Sequence, residues 1–220
     1  MRITRNLTHS SVRKKKVLLA LGILGLFASL VFYWWTRHPL LVVYVDPKLE
    51  SLLDLEAYKA PLKDSGARRI KIIHALPTNN DELGSKEREF SIALELSEER
   101  NPRLDEEMLA AGLTGPGYTD KYTCLMYRTD IKLFIQKHRK IFQDRGLLDW
   151  QEIERRMYTN TAAHETWHAL SQSVSHNPSD PNSLMYMFAG KSPLTYAWNR
   201  PMFTAGHKSR LQQLFAPRFP

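Results

Sequence analysis

An uncharged run from Val17 to Trp35 sets the first limit on what this chain can build. As a helix its 19 residues would extend about 28 Å, enough for the hydrocarbon core of a bilayer. It has no polar face with which to lie on a soluble core. Arg2, Arg5, Arg13, Lys14, Lys15 and Lys16 precede it, and Tyr33, Trp34 and Trp35 close it. Basic residues on one side and aromatic rings at the far end are the marks of a membrane span with its start in the cytoplasm. Thr36-Arg37-His38-Pro39 offers no small-residue cleavage site, so the run reads as an uncleaved signal anchor rather than a removable signal peptide. The expected organisation is a basic cytoplasmic segment over 1–16, a transmembrane anchor over 17–35, and one extracytoplasmic domain over 39–220.

Charge follows the same division. The chain carries a formal +8. Residues 1–38 hold seven Lys/Arg and no acid, which is +7, and residues 39–220 hold 24 basic and 23 acidic residues, which is +1. The basic balance is therefore a topological signal, and no nucleic-acid partner is expected. Arg13 to Lys16 are placed to meet anionic headgroups. A single cysteine, Cys124, excludes an intrachain disulfide. Its apolar surroundings, Tyr122 to Tyr127, suit a buried structural thiol.

Within the domain the pattern alternates between strands and helices. Leu40 to Val45 is a β-branched apolar strand. Asp46 and Pro47 open a helix expected to reach about Lys63 and to end at Ser65-Gly66. Arg69 to Leu76, Glu89 to Leu96 and Tyr122 to Ile131 read as three further strands. Ser97 to Thr119 reads as a long loop with a short helix near Asp105 to Ala111. Lys132 to Gln143 has helical spacing, Asp149 caps a helix from Trp150 to about Gln172, and Thr204 to Phe215 forms a closing helix. There is no internal repeat. The class is α+β, with a mixed sheet.

The chemistry lies in His164-Glu165-Thr166-Trp167-His168. On a helix, His164 and His168 project from one face about one turn apart. That spacing lets both imidazoles bind one Zn²⁺, with Glu165 beside the metal as a general base. A hydrolytic zinc needs a third protein ligand and an open position. No glutamate follows Glu165, so the donors left downstream are His176, His207 and Asp180.

The stretch from His164 to Tyr186 resembles the metzincin metallopeptidases, and within them the matrixin-type pattern H-E-x-x-H-x-x-G-x-x-H followed by a methionine turn. Here Ser183-Leu184-Met185-Tyr186 matches that turn. The resemblance implies His176 as the third ligand, Met185 as an apolar base beneath the metal, and a metzincin-like zincin domain with an active-site helix and a C-terminal helix. It also implies a wall of the substrate pocket between Met187 and Phe203, where Tyr196 and Trp198 would lie. The chain departs from the pattern in two places. Seven residues separate His168 from His176 where the family has five, and Ser171 stands where the family has glycine. A helix running on past Ser171, with a longer loop after it, would absorb both.

The expectation is a zinc-dependent metallopeptidase acting on protein or peptide substrates outside the cytoplasm, anchored by its N-terminal helix. Glu165 would take a proton from the attacking water and return it to the leaving amine. The alternatives are a binding or assembly protein that retains the scaffold with little hydrolysis, and a zinc amidase acting on another amide.

Overall fold

The computed structural model describes residues 7–103, 115–176, 180, 183–185 and 202–218, with backbone alone for 7–16. Helix α1 (Leu7–Arg37) includes Val17–Arg37, which is long and apolar enough to cross a membrane and has none of its length buried in the protein. Its C-terminal end is not a free stalk. His38 is buried and its Nδ1 lies 3.1 Å from the Phe215 carbonyl. Arg69 Nη1 donates to the His38 carbonyl at 3.0 Å, and the Arg218 amide donates to the Arg37 carbonyl at 3.1 Å.

Strand β1 (Leu40–Val45) starts two residues after the end of this junction at His38. Helices α2 (Pro47–Glu50) and α3 (Leu55–Asp64) follow, then β2 (Arg69–Ile73), β3 (Gly84–Lys86), β4 (Glu89–Ser97), β5 (Gly117–Asp120) and β6 (Thr123–Tyr127). Helices α4 (Arg128–Lys137), α5 (Arg139–Asp144), α6 (Trp150–Ser171) and α7 (Ala205–Leu214) complete the described α-helices. The mixed sheet has the order β2-β1-β4-β6-β5, with β3 also on β4. β1, β2, β4 and β6 run parallel, and β3 and β5 run antiparallel to their neighbours. β4 is therefore central. Its first half pairs with β1 and β3 and its second half with β6, which is why Phe90, Ile92, Ala93 and Leu94 are all buried.

Several boundaries differ from the sequence expectation. The helix expected from Asp46 to Lys63 is two helices, because Asp54 acts as a second N-cap and accepts from the Ala57 amide at 2.9 Å. The strand expected over Tyr122 to Ile131 ends at Tyr127, and α4 begins at Arg128. Asp130 in its first turn is fully buried, holding the Asn101 amide at 2.8 Å and the Arg100 guanidinium. The helix expected over Lys132 to Gln143 starts earlier and breaks at His138. β3 was not expected, and β5 occupies the end of what read as loop. The short helix expected near Asp105 to Ala111 lies outside the described residues.

The core lies between the sheet and α6. From Met157 to Ser171 every α6 residue except Asn160 and His168 is buried. One side packs on β6, β5 and β4, the other on α3, α4 and α7. Threonines are poor helix formers, yet α6 buries Thr159, Thr161 and Thr166. Two of them are tied to α3: Thr159 Oγ1 accepts from the Asp54 amide at 2.9 Å, and Thr166 Oγ1 meets the Tyr58 hydroxyl at 2.9 Å. Tertiary contacts hold this helix where propensity would not.

Candidate metal centre

Three imidazoles meet at the C-terminal end of α6. His168 Nε2 lies 3.0 Å from His164 Nε2 and 3.2 Å from His176 Nε2. Among the described residues these three histidines form the group able to hold a metal ion, with one ligand atom from each within 4.8 Å of the others. α6 supplies His164 and His168, four residues apart on one face. His176 arrives from the loop beyond. α6 runs through Ser171 and stops at Gln172, which takes the left-handed conformation at φ 50°, ψ 40°. The reversal that a glycine would make cheaply is made here one residue later by a glutamine. Its side-chain amide donates to the Lys121 carbonyl at 3.1 Å.

The other ring nitrogens are occupied. His164 Nδ1 lies 2.8 Å from the Leu184 carbonyl and His168 Nδ1 lies 2.5 Å from the Ser173 carbonyl. His176 turns its Nε2 toward His168. A carbonyl oxygen only accepts, so the protons of these neutral rings sit on the backbone side. The Nε2 lone pairs are left facing one another at 3.0 and 3.2 Å. Such an array is repulsive by itself and attractive around a cation. Tetrahedral zinc with Zn–N of about 2.0–2.1 Å sets its ligand nitrogens about 3.3 Å apart. The donor set therefore fits a zinc ion in its chemistry and two of its spacings approach that value, and the backbone carbonyls supply the outer hydrogen bonds that orient histidine ligands.

Electrostatics favour the neutral, ligating form. Burial, reinforced by the neighbouring His168, pushes His164 well below the usual imidazole range. Burial takes His168 down to about 4 and also lowers His176. Glu165 is 6% exposed. Burial raises its carboxyl to about 7, against the opposing effect of a hydrogen bond from Thr119. Its Oε1 lies 4.0 Å from His164 Nε2, so the carboxylate borders the imidazole cluster.

The other expected residues are placed as follows. His207 lies outside the cluster: its Nδ1 meets Thr204 Oγ1 at 2.7 Å, and Trp167 packs on it edge-on at 4.7 Å. Trp167 is buried and donates from Nε1 to the His207 carbonyl at 3.1 Å. The Asp180 carbonyl accepts from the Ser183 amide at 3.0 Å, and its carboxylate is not part of the imidazole group. Met185 is fully buried, and its neighbour Leu184 supplies the carbonyl on His164. Tyr186, Tyr196 and Trp198 lie outside the described residues. Sequence reasoning missed Gly117 and Thr119 on β5. Thr119 Oγ1 lies 2.7 Å from Glu165 Oε2, and a Cβ at Gly117 would come within 2.8 Å of Glu165 Oε1.

No protein-family model and no curated protein matches this sequence. Among solved structures it is similar to a zinc-dependent peptidase from Methanocorpusculum labreanum (strain Z), at 11% identity and a TM-score of 0.47, over 78% of this chain and 99% of that one.

Proposed function

We propose that the chain is a membrane-anchored zinc metalloendopeptidase of metzincin type, matrixin-like in its methionine turn. His164, His168 and His176 are its zinc ligands and Glu165 is its general base. It cleaves protein or peptide substrates outside the cytoplasm, with α1 as a single-pass anchor whose basic N-terminal segment stays inside. The observation that carries this reading is the convergence of three unprotonated Nε2 atoms beside a buried carboxylate.

Zinc in such a site supplies Lewis acidity, polarising a carbonyl oxygen and acidifying water. The chain's own residues do the rest. The Leu184 and Ser173 carbonyls hold the His164 and His168 rings in the ligating tautomer. Glu165 Oε1 accepts the proton of the water that attacks the scissile carbonyl and delivers it to the departing amine. Its burial keeps the carboxyl's affinity for that proton near the working pH, so it can both take and release it.

What supports hydrolysis over a binding or assembly role is Glu165 itself. A metal held only for structure needs ligands, not a buried carboxylate 4.0 Å from one of them. The test is the zinc content and peptidase activity of the detergent-solubilised full chain, wild type beside His176→Ala and Glu165→Gln. One zinc per chain, lost in His176→Ala and retained in an inactive Glu165→Gln, is the expected result. Retention of zinc by His176→Ala would move the third ligand to His207 or Asp180. Equal turnover by Glu165→Gln would remove the general base.

A further inference from the structure

The carboxylate of Glu165 is held from the sheet side by a strand that carries no expected function. Thr119 on β5 places its hydroxyl 2.7 Å from Glu165 Oε2 and 2.9 Å from the Glu165 carbonyl. A hydroxyl has one proton, and the charged, closer oxygen is the stronger acceptor. Cys124 lies directly opposite Thr119 in the β5–β6 pairing, and its thiol is buried. The Thr119 proton is therefore directed at Glu165 Oε2.

The two carboxylate oxygens are thereby made unlike. Oε2 is held by Thr119, while Oε1 lies 4.0 Å from His164 Nε2. The space around Oε1 exists because residue 117 is glycine. A Cβ there would meet Thr161 Cγ2 at 2.6 Å and Glu165 Cγ and Oε1 at 2.8 Å, so the carboxylate would have to turn away or the strand shift. Glutamate has three side-chain torsions, and nothing in α6 alone selects the one that turns Oε1 to the imidazoles. β5 selects it, by a bond on one oxygen and a clearance at the other.

We propose that Thr119 is the positioning residue for Glu165, holding Oε2 so that Oε1 stays turned toward the imidazole cluster. The catalytic meaning of this clamp rests on the peptidase reading, whereas the clamp itself does not. The experiment uses the full chain in detergent, with Thr119→Val, Thr119→Ser and, should the valine variant not fold, Thr119→Ala. Two readouts are taken. The first is steady-state cleavage of an unstructured peptide beside zinc content. Expected in Thr119→Val is a fall in kcat of about ten- to a hundredfold, with KM within about twofold, from loss of one orienting hydrogen bond. Zinc stays at one per chain, and Thr119→Ser recovers kcat to within about threefold. The second readout is the infrared carboxylate band of ¹³C-glutamate-labelled protein, identified by its disappearance in Glu165→Gln. Expected is a shift of that band in Thr119→Val and its return in Thr119→Ser.

Unchanged kcat with an unshifted band overturns the proposal. Loss of zinc in Thr119→Val together with activity also overturns it, since the hydroxyl would then serve the metal site at large. If the wild type binds zinc but cleaves nothing, the peptidase reading fails. The infrared arm still decides the clamp in that case: a shifted band supports it and an unshifted band overturns it.

Discussion

The two flanks of the sheet bury their residues for opposite reasons. On the β1–β4 side, Leu41, Val43, Val45, Ile92 and Leu94 are buried to the last few per cent and meet one another through apolar contact. On the β5–α6 side the buried groups include His164, Glu165 and Thr166, and the important contacts are single hydrogen bonds between named atoms. Apolar burial is non-directional and adds up over area, so the first flank tolerates exchange of one hydrophobe for another of similar size. Buried polar groups work one partner at a time. The first flank should hold the fold and the second should hold the chemistry, and substitutions can separate them.

The sharpest separation is expected at Glu165. Glu165→Gln keeps the volume and removes the base, so kcat should fall by about a hundred- to ten-thousandfold. Zinc content should not change. The melting temperature should be no lower than in the wild type, because burial already disfavours the ionised carboxyl. A large loss of thermal stability in this variant would collapse the distinction, since Glu165 would then be serving the core.

The complementary case is Leu94→Ala in the centre of β4, where Leu94 is fully buried between Val45 on β1 and Cys124 on β6. Removing it should cost about 2–5 kcal/mol, or roughly 2–4 °C in melting temperature for each kcal/mol in a domain of this size. The molecules that remain folded should bind zinc stoichiometrically and keep their kcat. Zinc loss at temperatures where circular dichroism still reports folded protein would show that the apolar flank reaches the site.

This contrast also explains what could be read from the chain. Periodicity and β-branching announce β1 and β4 because their signal is local and apolar. The imidazole pair on α6 was legible because helical geometry alone brings positions 164 and 168 together. The clamp on Glu165 was not, because Thr119 and Glu165 are 46 residues apart and neither is apolar. β5 hid for a second reason. It joins β6 through a two-residue turn, Lys121-Tyr122, in which Lys121 sits at φ 49°. Tight hairpins announce themselves by Asn, Asp or Gly at such positions, and a lysine gives no such sign. Gln172 carries no such sign either, although the expected end of α6 fell at this residue. The two strained residues touch, Gln172 Nε2 donating to the Lys121 carbonyl, so tertiary structure holds both conformations.

Gly117→Ala tests the boundary between the flanks at intermediate size. The new Cβ forces β5 away from α6, and overpacking of this kind costs about 1–3 kcal/mol. Activity should fall by more than that loss of stability explains, because the atoms displaced are those of Glu165. Full activity in a destabilised Gly117→Ala protein would show that the carboxylate adapts to a shifted strand, and would reassign β5 to the structural flank.

The smallest effect is expected at the far end of α6. Asp149 accepts from the Glu152 amide at 3.0 Å and caps the helix that ends in the imidazole cluster. Asp149→Ala should cost about 1 kcal/mol, the usual worth of such a cap, measured as a shift in the urea midpoint at constant slope. Asp149 and His164 are on one helix, so a rigid-rod view expects the site to feel this loss. The packing argues otherwise. Thr159 anchors α6 to α3 between the cap and the histidines, and Thr166 anchors it again between His164 and His168, and fraying of the first turn stops at the first anchored residue. Zinc affinity in Asp149→Ala should therefore match the wild type within about twofold, since a change of that size is only a few tenths of a kcal/mol. A tenfold weaker zinc affinity would mean that the cap, not the threonine anchors, sets the position of His164 and His168.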